Sequence, residues 1–236
     1  TSYNCVAVVR NTLLINFYDI LFGFPAPILL ALMLNEIKNE VFKKSVQTLT
    51  YMPHFISLVV VCGIIKTFVD SEGIVNDLIA KLGGERVSLL LKPEYFRFIF
   101  ISTGIWQNIG WSAIIYLAAL SGINQDLYEA AKIDGANRFR QMLAVTLPGI
   151  MPTITVMFIL RLGAIMNVGF EKIILLYNTS TYETADVISS YIYRKGLQEY
   201  NYSFSTAVGL FNSVINFALI VGTNKICKKF NQASLW

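Results

Sequence analysis

Residues 121–148 read SGINQDLYEAAKIDGANRFRQMLAVTLP. A connector between two apolar runs is expected to be short and polar, yet this one is long and patterned as helix. Asp126 followed by Glu129 gives a capping-box-like helix start, with Asp in place of Ser or Thr. Leu127, Ala130, Ala131 and Asp134 then recur at helical spacing. Gly135 supplies a position where the chain takes positive φ and turns. Asn137 caps a second short helix holding Phe139, Met142, Leu143 and Val145, and Pro148 is expected to stop it. The result is a helix–Gly–helix knob. Small side chains at Ala130 and Ala131 let another protein's backbone come close, which suits insertion into a cleft. An amphipathic helix lying on a bilayer satisfies the same periodicity, so periodicity alone leaves both readings open.

The flanks of the knob decide its surroundings. The chain of 236 residues is 55% hydrophobic and 14% charged, with net charge +4, against roughly 45–50% apolar and about 25% charged for an ordinary soluble domain. That is too little charge to cover a water-facing surface. With 16 Phe, 12 Tyr and 3 Trp the chain is not disordered, and a thinly spread +4 gives no nucleic-acid footprint. A membrane helix needs about 20 mostly apolar residues. Five stretches qualify, at about Thr12–Leu34, Leu49–Val69, Arg97–Leu120, Ile150–Phe170 and Thr206–Ile226. No segment alternates long enough to suggest a barrel strand. The expected fold is an all-α membrane protein, a helical bundle forming one domain over residues 1–236.

Lys and Arg set the orientation. Nine of the 19 fall in the linker 35–48, the knob linker and the tail from Lys225; seven fall in the larger opposite set, 1–11, 70–96 and 171–205. The bias puts the knob and tail in the cytoplasm and Thr1 outside. The first residues lack a secretory-signal pattern, so the chain reads as a six-span protein seen from its second span onward.

Several chemistries have no residues to carry them. There is no G-x-x-x-x-G-K-[ST] cradle for nucleotide phosphates, no H-E-x-x-H, no G-x-S-x-G and no Cys/His cluster. Cys5, Cys62 and Cys227 are read as small apolar packers. His54, the sole histidine, is read as a structural hydrogen-bonder. No metal site and no catalytic residue is expected.

Polar groups inside the bilayer are functional candidates. Asp19 and Arg161 either pair with each other or each line a pathway, whereas Lys66 snorkels outward. A site for a solute with hydroxyl edges and C–H faces wants aromatic platforms with amide or carboxylate partners. Trp106, Asn108, Trp111 and Tyr116 with Asn167 and Glu171 offer that set, although Trp and Tyr also populate membrane-interface belts. Gly104 with Asn108, Gly209 with Ser213, and Ala218 with Gly222 permit close helix contact, and packing inside the bundle is expected of them. Five or six helices wall a bulky polar solute's passage on one side only, so a second chain, either another copy or a related one, is needed. The Tyr-rich stretch 171–205 reads as an outer loop that receives a partner or rests on the membrane. Asn178 and Asn201 stand in glycosylation sequons.

The run from Tyr128 to Pro152 resembles the EAA motif of ABC importer permeases through Glu129-Ala130-Ala131, Asp134-Gly135-Ala136, Leu147-Pro148 and Pro152. Arg10-Asn11-Thr12, Phe24-Pro25-Ala26-Pro27, the run Tyr51 to Ser57, the run Trp106 to Trp111, and Ala207 to Phe211 are similar to permeases of the polysaccharide and oligosaccharide uptake branch. The resemblance implies a type I importer permease fold in a bacterial inner membrane. The knob would then be a coupling helix, with Glu129, Ala130, Ala131, Asp134, Gly135, Leu147 and Pro148 engaging a cytoplasmic ATPase. The implied partners are two ATPase subunits that bind ATP and Mg, a related second permease, an extracytoplasmic solute-binding protein, and a carbohydrate substrate. The rivals are an ATP-independent secondary transporter or channel, which inverted repeats and broken helices would support, and a membrane assembly factor, which an apolar, closed cavity would support.

Overall fold

Two prolines that ought to interrupt helices are carried through them by the same device. The computed structural model describes residues 2–229 and 234; the expected placement of Thr1 and packing of the Cys5 thiol lie outside what it describes. Helix α1 (Ser2–Tyr18) passes through a π-turn, Asp19–Gly23, into α2 (Pro25–Glu36). The Phe24 N–H bonds the Asp19 carbonyl five residues back, at 2.9 Å, just before Pro25, which has no N–H to give. At the other site the Leu147 N–H bonds the Met142 carbonyl, again five residues back, just before Pro148. Pro148 therefore does not stop the helix, contrary to expectation. The run 138–162 is one continuous helix of 25 residues, long and apolar enough to span.

Three further continuous helices meet that test, Val6–Glu36, Pro93–Ser121 and Tyr202–Lys229. The expected second span is different. Its residues belong to α3 (Glu40–Tyr51) and α4 (Leu58–Val69), followed by α5 (Ile74–Lys81), and the two halves bend by 101° across the break. A short 3-10 turn, Met52–Phe55, fills that break. Pro53 removes one helical donor there, and the backbone is extended at Ile56 and Ser57. The long helix α6 (Pro93–Ser121) follows, then the knob as α7 (Gln125–Ile133) and α8 (Arg138–Gln141), then α9 (Leu147–Gly163). The helix ends at Gly163, so 164–169 is a turn and irregular segment leading to the next helix at Phe170 rather than the end of the fourth span.

α6 is the central post. At the knob end Ile28, Ala31, Ala113, Leu120 and Ile150 pack into one buried cluster. At the far end Ile15, Val61, Phe96, Ile173 and Val187 form another. Two glycines set the closest approaches. A Cβ on Gly110 would lie 2.2 Å from the Thr50 carbonyl oxygen of α3, and one on Gly163 would lie 2.0 Å from Ile220 of the last helix, α13 when the remaining helices are counted. Gly209 and Gly222 have nothing within 4 Å of such a Cβ, so the internal packing expected of them is absent.

The stretch 171–205 is not an open loop. It folds into α10 (Phe170–Leu176), α11 (Tyr182–Ala185) and α12 (Ile188–Tyr193) before α13 (Tyr202–Lys229). Asn11 of α1 holds this cap by donating to the Glu183 and Asp186 carbonyls at 2.8 and 3.1 Å, and Arg97 donates to the Asn11 side chain at 2.8 Å. Thr12 accepts from the Ile188 N–H at 3.0 Å. Arg194 binds Asp186 and lies over the Tyr182 ring; donating hydrogen bonds to that carboxylate holds the guanidinium above its usual range. Tyr177 and Tyr182 pack on each other, so much of the tyrosine wealth is internal, while Tyr200 and Tyr202 stay exposed.

Candidate functional site

The knob forms by local rules. Asn124, not Asp126, is the N-cap of α7: its side chain accepts from the Asp126 N–H at 3.0 Å. Asp126 sits in the first turn, where its charge suits the helix dipole. α7 closes in a Schellman arrangement, with Ala136 N–H to the Ala131 carbonyl and Gly135 N–H to the Lys132 carbonyl. Gly135 has φ +77°, as its place in the sequence predicts. Asn137 caps α8 by accepting from the Arg140 N–H at 2.9 Å.

No residue of α7 or α8 is buried. Glu129, Ala130, Asp134 and Gly135 are open and Ala131 is half-buried. Ile133 is 86% exposed, and Leu127, Phe139 and Leu143 project nearby, so the knob presents an apolar surface that its own chain does not cover. Its attachments to the bundle are specific. The Tyr128 hydroxyl meets the Thr146 hydroxyl at 3.0 Å in the π-turn at the foot of α9, and Arg138 pairs with Glu36 at the end of α2 at 3.6 Å. Tyr128 and Thr146 did not stand out from the sequence, because a hydroxyl pair 18 residues apart carries no periodic signal. Leu147 and Pro148 continue this foot into α9.

The second feature lies at the break between α3 and α4. Irregular backbone at membrane depth is tolerated only when buried in protein or lining a wet cavity. Here it faces side chains of α6. His54 Nδ1 and Asn108 Oδ1 are 3.1 Å apart. The imidazole stacks on Trp111 with centroids 4.6 Å apart and planes 6° from parallel. Phe55 meets the same indole edge-on at 5.7 Å. Trp111 and Phe55 are exposed, and a polar pair beside open aromatic faces is costly against lipid. His54 is thus joined to two sequence candidates, Asn108 and Trp111. The fold reveals it, because the partners are 54 residues apart.

The other candidates separate. Asp19 and Arg161 pair directly, α1–α2 turn to α9, both partly buried. Gly23 leaves room for this carboxylate, since a Cβ there would lie 2.6 Å from Asp19 Oδ1. Tyr116 is 2% exposed within the knob-end cluster, so it is a packing residue and not a pathway one. Trp106 is exposed but projects from another side of α6 than Asn108 and Trp111. Asn167 lies in the turn after α9 and accepts from Asn212 at 3.0 Å, while Asn216 accepts from the Met166 N–H at 3.2 Å. Glu171 is exposed at the start of α10.

Comparison with known proteins agrees with this architecture. The family of binding-protein-dependent transport system inner membrane components matches residues 23–226. Protein LplB of Bacillus subtilis is 46% identical over 97% of this chain and 72% of its own length. The polygalacturonan/rhamnogalacturonan transport system permease protein YteP of the same species is 43% identical over the same shares. A crystal structure of a bacterial alginate ABC transporter, with its periplasmic protein bound to alginate pentasaccharide, contains a chain that superimposes with TM-score 0.94 at 48% identity, covering 98% of this chain and 80% of that one. A broken helix alone would also suit a secondary carrier, but the family match, the shared fold and the uncovered knob decide between them: the chain belongs to the binding-protein-dependent transport system inner membrane components, multi-pass permeases with the type I ABC importer fold.

Proposed function

We propose that this chain forms half of a translocation pathway for an oligosaccharide or polysaccharide, driven by ATP hydrolysed on two cytoplasmic ATPase subunits that bind ATP and Mg. A related second permease closes the pathway, and an extracytoplasmic solute-binding protein delivers the substrate. The observation that carries this reading is the knob: α7 and α8 turn about Gly135 with no buried residue of their own, yet they are bonded to α9 through Tyr128 and Thr146 and to α2 through Arg138 and Glu36. A push on the knob reaches two spanning helices through direct contacts. Glu129, Ala130, Ala131, Asp134 and Gly135 meet the ATPase, with Leu147 and Pro148 at the lever's foot. His54, Asn108 and Trp111 line the pathway, supplying an amide and a stacked aromatic surface to sugar hydroxyls and C–H faces. The carbohydrate class is supported by relatives named for polygalacturonan, rhamnogalacturonan and alginate.

The test is saccharide uptake by the reconstituted complex with and without its ATPase subunits. Uptake should require the ATPases and ATP. Glu129→Lys should leave the bundle folded while ATP hydrolysis no longer drives uptake. Uptake that persists without the ATPases, or full coupling in Glu129→Lys, refutes the reading.

A further inference from the structure

Lys172 of α10 is 7% exposed, and among the described residues no carboxylate lies within ion-pairing distance of it. Its Nζ donates to the Phe100 carbonyl at 2.9 Å and stands 4.8 Å from the centroid of the Phe100 ring. A buried cation held by one carbonyl and one ring is an expensive arrangement for mere packing, since buried charges are normally paired. The contrast within the chain is direct: Arg161, only partly buried, is paired with Asp19. Glu171, the neighbour in sequence, is exposed.

The amine lies against a gap in α6. A Cβ built on Gly104 would lie 3.4 Å from Lys172 Nζ, so the ammonium stands against the face of α6 that carries Gly104, where any larger side chain would meet it. Gly104 is one turn from Asn108, and the Asn108 amide donates to the Gly104 carbonyl at 3.1 Å. Residues 104, 108 and 111 share a helix face, and Gly104, which the amine faces, lies one helical turn, about 5.4 Å, from Asn108 and two turns from Trp111. The ammonium, with no carboxylate paired to it among the described residues, thus adds a positive field to the surface where the His54, Asn108 and Trp111 group opens, and in a low-dielectric wall such a field is weakly screened.

We propose that Lys172, standing against Gly104, makes this pathway select saccharides that carry carboxylates over neutral saccharides of the same length. The proposal rests on the carbohydrate-permease reading and adds to it a specificity residue. Two similar proteins agree with the charge: one is named for polygalacturonan and rhamnogalacturonan, and another structural relative imports alginate, described as an acidic polysaccharide.

The experiment uses the complete importer with its binding protein in proteoliposomes. The probes are tetragalacturonate and its fully methyl-esterified, neutral counterpart. In the unaltered complex, ATP-dependent uptake of the charged probe should exceed that of the ester. Lys172→Met, which keeps the apolar stem, should lower the charged-to-neutral uptake ratio at least tenfold without lowering uptake of the ester, and Lys172→Arg should restore most of the ratio. Equal loss of both probes in Lys172→Met would show a purely structural role and overturn the proposal, as would an unchanged ratio. A preference of the unaltered complex for the ester also overturns it while leaving the carbohydrate reading intact. ATP-driven uptake of neither probe overturns both.

Discussion

Gly110→Ala should loosen the joint on which the pathway surface depends. A methyl at position 110 would sit 2.2 Å from the Thr50 carbonyl oxygen, 2.4 Å from its carbon and 2.8 Å from Tyr51 Cδ1. The first two atoms are backbone and cannot swing aside, so reaching ordinary contact at 3.4 Å moves α3 off α6 by about 1 Å, a gap that forfeits a quarter to a half of each dispersion well. Overpacking of this kind costs about 1–3 kcal/mol. Chains of this size lose about 2–4 °C of Tm per kcal/mol, so a loss of about 4–8 °C is expected at the middle of that range. Cys62 reports the transition, because its thiol is 2% exposed and reacts with a maleimide fluorophore only on unfolding, whereas Cys227 is partly accessible from the start. Gly222→Ala is the matched control, with nothing within 4 Å of the added methyl, and should shift Tm by about 1 °C or less. The same displacement would part His54 from Asn108, now 3.1 Å apart, so uptake should fall as well. A Gly110→Ala protein that melts with Gly222→Ala would refute the close crossing of α3 and α6.

Other outcomes follow from the same contacts. Asp19→Asn should destabilise the bundle by about 2 kcal/mol, less than the 3–5 of a fully buried pair because both side chains keep partial exposure, and the Asp19→Asn, Arg161→Met double variant should melt above the single one. Gly135→Val forces a β-branched residue to φ +77° at about 1–2 kcal/mol; the ratio of ATP hydrolysed to solute carried should rise in the reconstituted complex. Asn137→Ala removes the cap of α8 at about 1 kcal/mol, which should appear as faster limited proteolysis between Ile133 and Gln141, with overall melting unchanged.

The knob was legible because its rules are local. The capping side chain of Asn137, the glycine at 135 and the helical spacing of Leu127, Ala130 and Ala131 act over three or four residues, a range in which sequence and geometry coincide. Even there a choice between neighbours was lost: Asn124 took the cap that Asp126 also offered, since either side chain reaches a free N–H of the first turn. Pro148 misled for the opposite reason. Its effect on the helix depended on whether the preceding turn could widen to five-residue bonding, as at Phe24 and Pro25, and residue type does not report that.

Apolar content and the glycine-centred knob were determined by the sequence itself, since burial in lipid and backbone propensity act residue by residue. The family resemblance also rested on words spelled along the chain. Only the tertiary structure decided that the second span breaks at Met52–Phe55, that His54 meets Asn108 and Trp111, that Asp19 and Arg161 pair, that Tyr116 is core, and that Lys172 is left without an acid. The ring, amide and ion-pair contacts among those facts join residues 54 to 142 positions apart. Such meetings are set by how helices cross, and a crossing here depends on whether a glycine such as Gly110 lets two backbones touch.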